Sequence, residues 1–134
     1  MIAFLLLLQA APALPIGAIG PQSLPAKGCA AYLWSIADRQ FVAMATADPG
    51  QLRLSIDGRT QDLGRTSQTG QGPTGLGGTA EYRGGDVVAT LDMVVEAKES
   101  LSQGAQVRDG VLRIDRAGRD GIVVPVAGLV GCRA

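Results

Sequence analysis

The chain has 134 residues, room for one domain, and its twelve Lys and Arg balance its twelve Asp and Glu. No sequence-wide field therefore steers it to nucleic acid or anionic lipid. Histidine is absent, which removes Ser-His-Asp and Cys-His catalysis and every His-based metal site. Nineteen glycines and seven prolines call for frequent turns and favour short strands over long helices. The cations are nearly all Arg, a composition expected of a GC-rich bacterial genome.

Ile2 to Leu8 is an unbroken apolar run, and Ala11-Pro12-Ala13 supplies the small residues that signal peptidase needs before its cut. Residues 1–13 read as a signal peptide, although no Lys or Arg precedes the apolar run. A retained membrane anchor is the alternative, weakened by Pro12, Pro15, Gly17 and Gly20 in the same stretch. Residues 14–28, with three prolines and no periodicity, read as a flexible lead-in. Cys29 and Cys132 lie near opposite ends of the presumed mature chain without a C-x-x-C motif. In an exported domain they are expected to form a disulfide.

From Cys29 the pattern becomes strand-like. AAYLWSI puts Tyr32, Trp34 and Ile36 on one face and Ala31, Leu33 and Ser35 on the other, with Tyr32 and Trp34 expected in the core. QFVAMAT is apolar on both faces, as in a strand covered on each side. In QLRLSID, Leu52, Leu54 and Ile56 alternate with Arg53, Ser55 and Asp57, and Asp57-Gly58 suits a two-residue hairpin into RTQDLG. VVATLDMVVEAK sets Val87, Ala89, Leu91, Met93, Val95 and Ala97 on one face, with Thr90, Asp92, Glu96 and Lys98 on the other. Residues 98–106 suit either a helical turn or a loop. Asp109-Gly110 marks a hairpin into VLRIDR, with Leu112 and Ile114 inward. Asp120-Gly121 opens IVVPVAGLVGC, where Pro125 points to an edge or a bend. Residues 29–134 thus read as a single all-β domain of about eight short antiparallel strands, a small β-barrel or β-sandwich with its termini tied by one disulfide.

Gly70 to Gly75, GQGPTG, matches the G-x-G-x-x-G spacing of a dinucleotide-binding turn. That mechanism needs a buried strand before the glycines and a helix after them. Here RTSQT precedes and further glycines follow, so the segment reads as a hairpin loop and no nucleotide is expected. Glu81, Asp92 and Glu96 are the carboxylates able to meet on one sheet face, as a paired-carboxylate hydrolase would require. Solvated strand decoration accounts for them without catalysis. Arg108, Arg113, Arg116 and Arg119 alternate with acids and lack aromatic company, so a nucleic-acid surface is not expected.

In outline the chain resembles the small periplasmic inhibitors of lysozyme. These are exported antiparallel barrels whose disulfide joins the first strand to the chain's end, the placement of Cys29 and Cys132. The polar loop from Thr66 to Gly75 falls where that family projects its reactive loop. The family's Ser-Ala-Ser-Gly-Ala-type loop and its Trp-x-Lys-Gly strand are absent, so the resemblance covers architecture and the two cysteines.

The expectation is a non-catalytic, extracytoplasmic module, periplasmic or secreted, that binds an envelope or secreted protein without cofactor or metal. Its contact with the membrane is limited to the transient signal segment. Thr66, Ser67, Gln68, Gln71, Pro73 and Thr74 are the candidate contact loop. A small-ligand-binding barrel is the alternative, followed by a carboxylate-dependent hydrolase.

Overall fold

A computed structural model describes residues 15–97 and 104–133. The presumed signal peptide and positions 98–103 lie outside the described residues. The strands in chain order are β1 (Ile16–Gly17), β2 (Gly28–Ser35), β3 (Phe41–Thr46), β4 (Gln51–Ile56) and β5 (Arg59–Thr69). They are followed by β6 (Gly78–Gly84), β7 (Val87–Ala97), β8 (Gly104–Arg116) and β9 (Ile122–Arg133). From β2 onward each strand pairs antiparallel with the next, and β9 pairs back onto β2. The result is a closed eight-stranded barrel with β1 as one extra strand on β4. Of the two architectures open to the sequence, the barrel forms.

Closure follows from the two-residue period. Leu52, Leu54, Leu63, Leu91, Leu112, Ile114, Val107 and Val126 all point inward and are at most 2 % exposed. Met93 is also buried, while Val95 packs against this core half-buried. Cys29 and Cys132 are direct partners across the β2–β9 seam, and their disulfide locks the first barrel strand to the last. Gly128 lies on the same seam. A Cβ there would run into the Tyr32 carbonyl, so only glycine lets these two strands approach.

The Asp57-Gly58 hairpin forms as expected, both residues taking positive φ (52° and 77°) between the paired Ile56 and Arg59. Asp109-Gly110 does not turn the chain. β8 runs straight through it, and the register against β7 and β9 shifts there, giving a β-bulge instead of the expected hairpin. The strand following residues 98–103 begins at Gly104, so Gly104 to Gln106 are neither helical turn nor loop. Pro125 lies within β9 in a barrel whose strands all have neighbours. The β2–β9 ladder ends at Ser35↔Val126, one residue before it, so the missing N–H interrupts no pair on that side. Its carbonyl accepts from Ile36 N–H at 3.0 Å.

The lead-in packs along the barrel's outside. Ile16 and Gly17 pair with Ile56 and Ser55, on the flank of β4 beyond the end of its pairing with β3. Ile19 donates its N–H to the Phe41 carbonyl and joins Ala30 and Met44 in a small outer cluster flanked by Tyr32 and Phe41. This is the second cover that the doubly apolar β3 required.

Candidate functional site

The placement of Tyr32 and Trp34 reverses the expected one. Ala31, Leu33 and Ser35 face the interior, while Tyr32 is half-buried outside and Trp34 is 38 % exposed. Trp34 stacks on Phe41 across a β-bulge, ring centroids 4.7 Å apart. The interior of an eight-stranded barrel has little space, and the leucines of the facing strands fill it. Ala31, Leu33 and Ser35 of β2 fit the space that remains, and its aromatics go outside.

Beyond Trp34 the outer surface of β9, β8 and β7 carries large apolar residues interleaved with Thr90, Asp92, Arg108, Asp109 and Arg113. Leu129 is opposite Tyr32, Ala127 is opposite Trp34, and Pro125 lies beside Ile36 and opposite Val111. Ile36, Val94, Val111, Val123 and Leu129 are all exposed, between 40 % and 55 %. A groove of about 580 Å³ is lined by Trp34 of β2, Gln106 to Asp109 of β8, and Ala127 to Leu129 of β9 between them. The β8 bulge puts Arg108 and Asp109 along that groove as adjacent outward residues.

The opposite wall, β4 to β6, is charged. Arg53 bonds Asp62 through Nε (2.8 Å) and Nη2 (3.1 Å), and its Nη1 reaches Gln22 of the lead-in. That bidentate hydrogen bond holds the Asp62 carboxyl below its ordinary range. Glu81, on the same wall, is likewise lowered, by its bond from Arg83 at 2.8 Å. The three carboxylates able to form a catalytic pair are each engaged separately. Glu81 is held by Arg83, Asp92 accepts from the Thr79 hydroxyl, and Glu96 lies 3.6 Å from Arg108.

The expected contact loop divides. Thr66, Ser67 and Gln68 belong to β5, whereas Gln71, Pro73 and Thr74 lie in the connection from Gly70 to Gly77. The connection is pinned to the barrel. Leu76 is fully buried, Gly72 N–H donates to the Leu76 carbonyl, and Gln68 Nε2 donates to the Gly75 carbonyl at 3.0 Å. Gly70, Gln71, Gly72 and Pro73 are its exposed tip. Beneath it lies a pocket of about 380 Å³, whose lining includes Leu76, Gly77, Met93, Val95 and Ala105. Gly77, at φ 100°, takes a conformation that glycine favours, and a Cβ there would lie 3.2 Å from Val95 Cγ2.

Two arginines follow the inward parity of their strands. Arg65 is directly opposite Tyr82 across β5 and β6. Its guanidinium occupies the space a side chain at position 50 would need. Burial pushes the Tyr82 hydroxyl above its ordinary pKa, against the opposing pull of Arg65. Neither Tyr82 Oη nor Arg65 Nη1 has a hydrogen-bond partner among the described residues. Arg116, at the other end, continues the inward series Gly110, Leu112, Ile114 on β8. Comparison of the chain with protein-family models, curated proteins and solved structures returns no match.

Proposed function

We propose that this protein is an extracytoplasmic, non-catalytic module that binds another protein through the outer wall of β2, β9, β8 and β7. The carrying observation is the gathering of Trp34, Ile36, Val94, Val111, Val123 and Leu129 on that single wall. Exposed large apolar residues gathered on one wall, here interleaved with Asp92, Asp109 and Arg113, are a mark of a contact surface. The groove beside Trp34 supplies an aromatic anchor at its edge, and such residues dominate binding energy. Extracytoplasmic location is supported by the apolar N-terminal run and by the disulfide across the seam.

The test is affinity capture from an envelope extract with wild type and with a folded Val111→Asp/Leu129→Glu variant. Partners lost by the variant and shifting the emission of Trp34, the sole tryptophan, support the reading. Identical capture by both proteins overturns it. Shortening the tip from Gln71 to Pro73 separately assigns any share of the loop.

The pocket beneath the glycine connection favours a second reading, a site for a small apolar ligand. Its size reaches the lower range of ligand pockets, and buried Leu76, Met93 and Ala105 help line it. Saturable binding of an apolar fluorescent dye, abolished by Ala105→Trp, supports that reading. Unsaturable binding rejects it.

A further inference from the structure

The barrel end that carries the Asp57-Gly58 turn has a polar cleft of about 310 Å³. Its lining brings together three turns distant in sequence: Asp57 and Arg59 from β4–β5, Asp86 from β6–β7, and Arg116 and Arg119 from β8–β9. Ile56, Val87 and Gln61 complete it.

Arg116 is held in place from within. Its side chain is only 10 % exposed, and Nη1 donates to Asp57 Oδ2 at 2.8 Å. That bond occupies the Nη1 side of the guanidinium. Nε is buried and has no hydrogen-bond partner among the described residues. A buried donor left in that state is costly, and an acceptor that supplied the bond would be held firmly. The rim adds charge without spending it. Arg59 and Arg119 make no ion pair among the described residues. The turn that carries Arg119 is closed by its own N–H to the Arg116 carbonyl at 3.1 Å.

Charge sets the class of ligand. Three guanidiniums against the two carboxylates of Asp57 and Asp86 leave one positive charge in the cleft. A single negative charge balances it, and the guanidinium fork matches planar carboxylate and phosphate oxygens. We propose that this end of the barrel binds a singly charged oxyanion group, a carboxylate or a phosphodiester. Arg116 is the preset donor, and Arg59 and Arg119 approach from the rim.

Side-chain Nε–H resonances of ¹⁵N-labelled protein read this out directly, with sodium acetate and dimethyl phosphate as probes at constant ionic strength. The Arg116 Nε–H signal is expected to shift and saturate. An Arg59→Gln/Arg119→Gln variant is expected to bind about tenfold or more weakly with an unchanged melting temperature. Both replaced side chains are exposed, so the fold survives their loss. Binding to phosphatidylglycerol vesicles that dimethyl phosphate competes away assigns the group to a lipid headgroup. Saturation by the free probes without vesicle binding assigns it to a soluble ligand. Unsaturable shifts shared equally by Arg39 and Arg83, or equal affinity in the double variant, overturn the proposal.

Discussion

The two outer walls of this barrel share one construction and differ in what they offer. On β4 to β6 the outward residues pair among themselves, Arg53 with Asp62 and Arg83 with Glu81. On β9 and β8 the outward residues include Val111, Val123 and Leu129, and nothing among the described residues covers them. The lead-in sharpens the difference. It crosses the outside of β3, shields Met44 and reaches Tyr32, whose hydroxyl donates to the Ser23 carbonyl, but leaves Trp34 exposed. The strip left open is the surface that the proposed contact would use.

The sharpest break of this comparison uses two neighbours on β8. Leu112 is fully buried and Val111 is 40 % exposed. Leu112→Asp is expected to abolish folding, since an unpaired buried charge exceeds the stability of a small domain. Val111→Asp is expected to fold normally and to lose only association. Circular dichroism with thermal melts separates the two. Equal damage from both would show that the wall is interior in the working protein.

Next in size is the seam. Replacing both cysteines, Cys29→Ser with Cys132→Ser, removes a bridge between residues 103 apart in sequence. The loss is expected to approach about 4 to 5 kcal/mol as an upper value, measured by urea unfolding. A loss near zero would mean that strand pairing alone holds the barrel closed.

A smaller effect concerns Tyr82. A tyrosine raised by burial favours the folded state fully below the unfolded value near 10. That contribution declines as pH rises from there through the raised folded value, because the unfolded chain ionises first. Tyr82→Phe is expected to change neutral-pH stability by no more than about 1 kcal/mol and to flatten the alkaline decline. An unaltered alkaline profile would assign the decline to other groups.

The least effect is expected on the charged wall. Asp62 is exposed, so its pairing with Arg53 contributes under about 1 kcal/mol. Its lowered pKa makes that contribution present above the ordinary carboxylate range and lost as pH falls through the lowered value. Asp62→Asn should therefore barely move a denaturation midpoint at neutral pH. A larger shift would give this wall a structural role beyond its ion pairs.

What could be read from sequence was local. Alternation in QLRLSI and VVATLDM sets Leu52, Leu54, Leu91 and Met93 inward, because successive side chains point to opposite faces whatever the neighbours are. Asp57-Gly58 announces a tight turn because both residues tolerate positive φ. Other features depended on partners distant in the chain. Asp109-Gly110 has the same turn chemistry, yet Gly110 fits closely against Val126, where a Cβ would stand 2.9 Å from Cγ2. Packing between β7 and β9 makes it a bulge. Tyr32 and Trp34 alternate correctly with Leu33, but alternation names two faces without saying which is inside. The interior volume left by the seven other barrel strands decided that. The oxyanion cleft was the least legible, because Arg59, Asp86, Arg116 and Arg119 share no sequence spacing. They come together because an antiparallel barrel gathers alternate turns at one end.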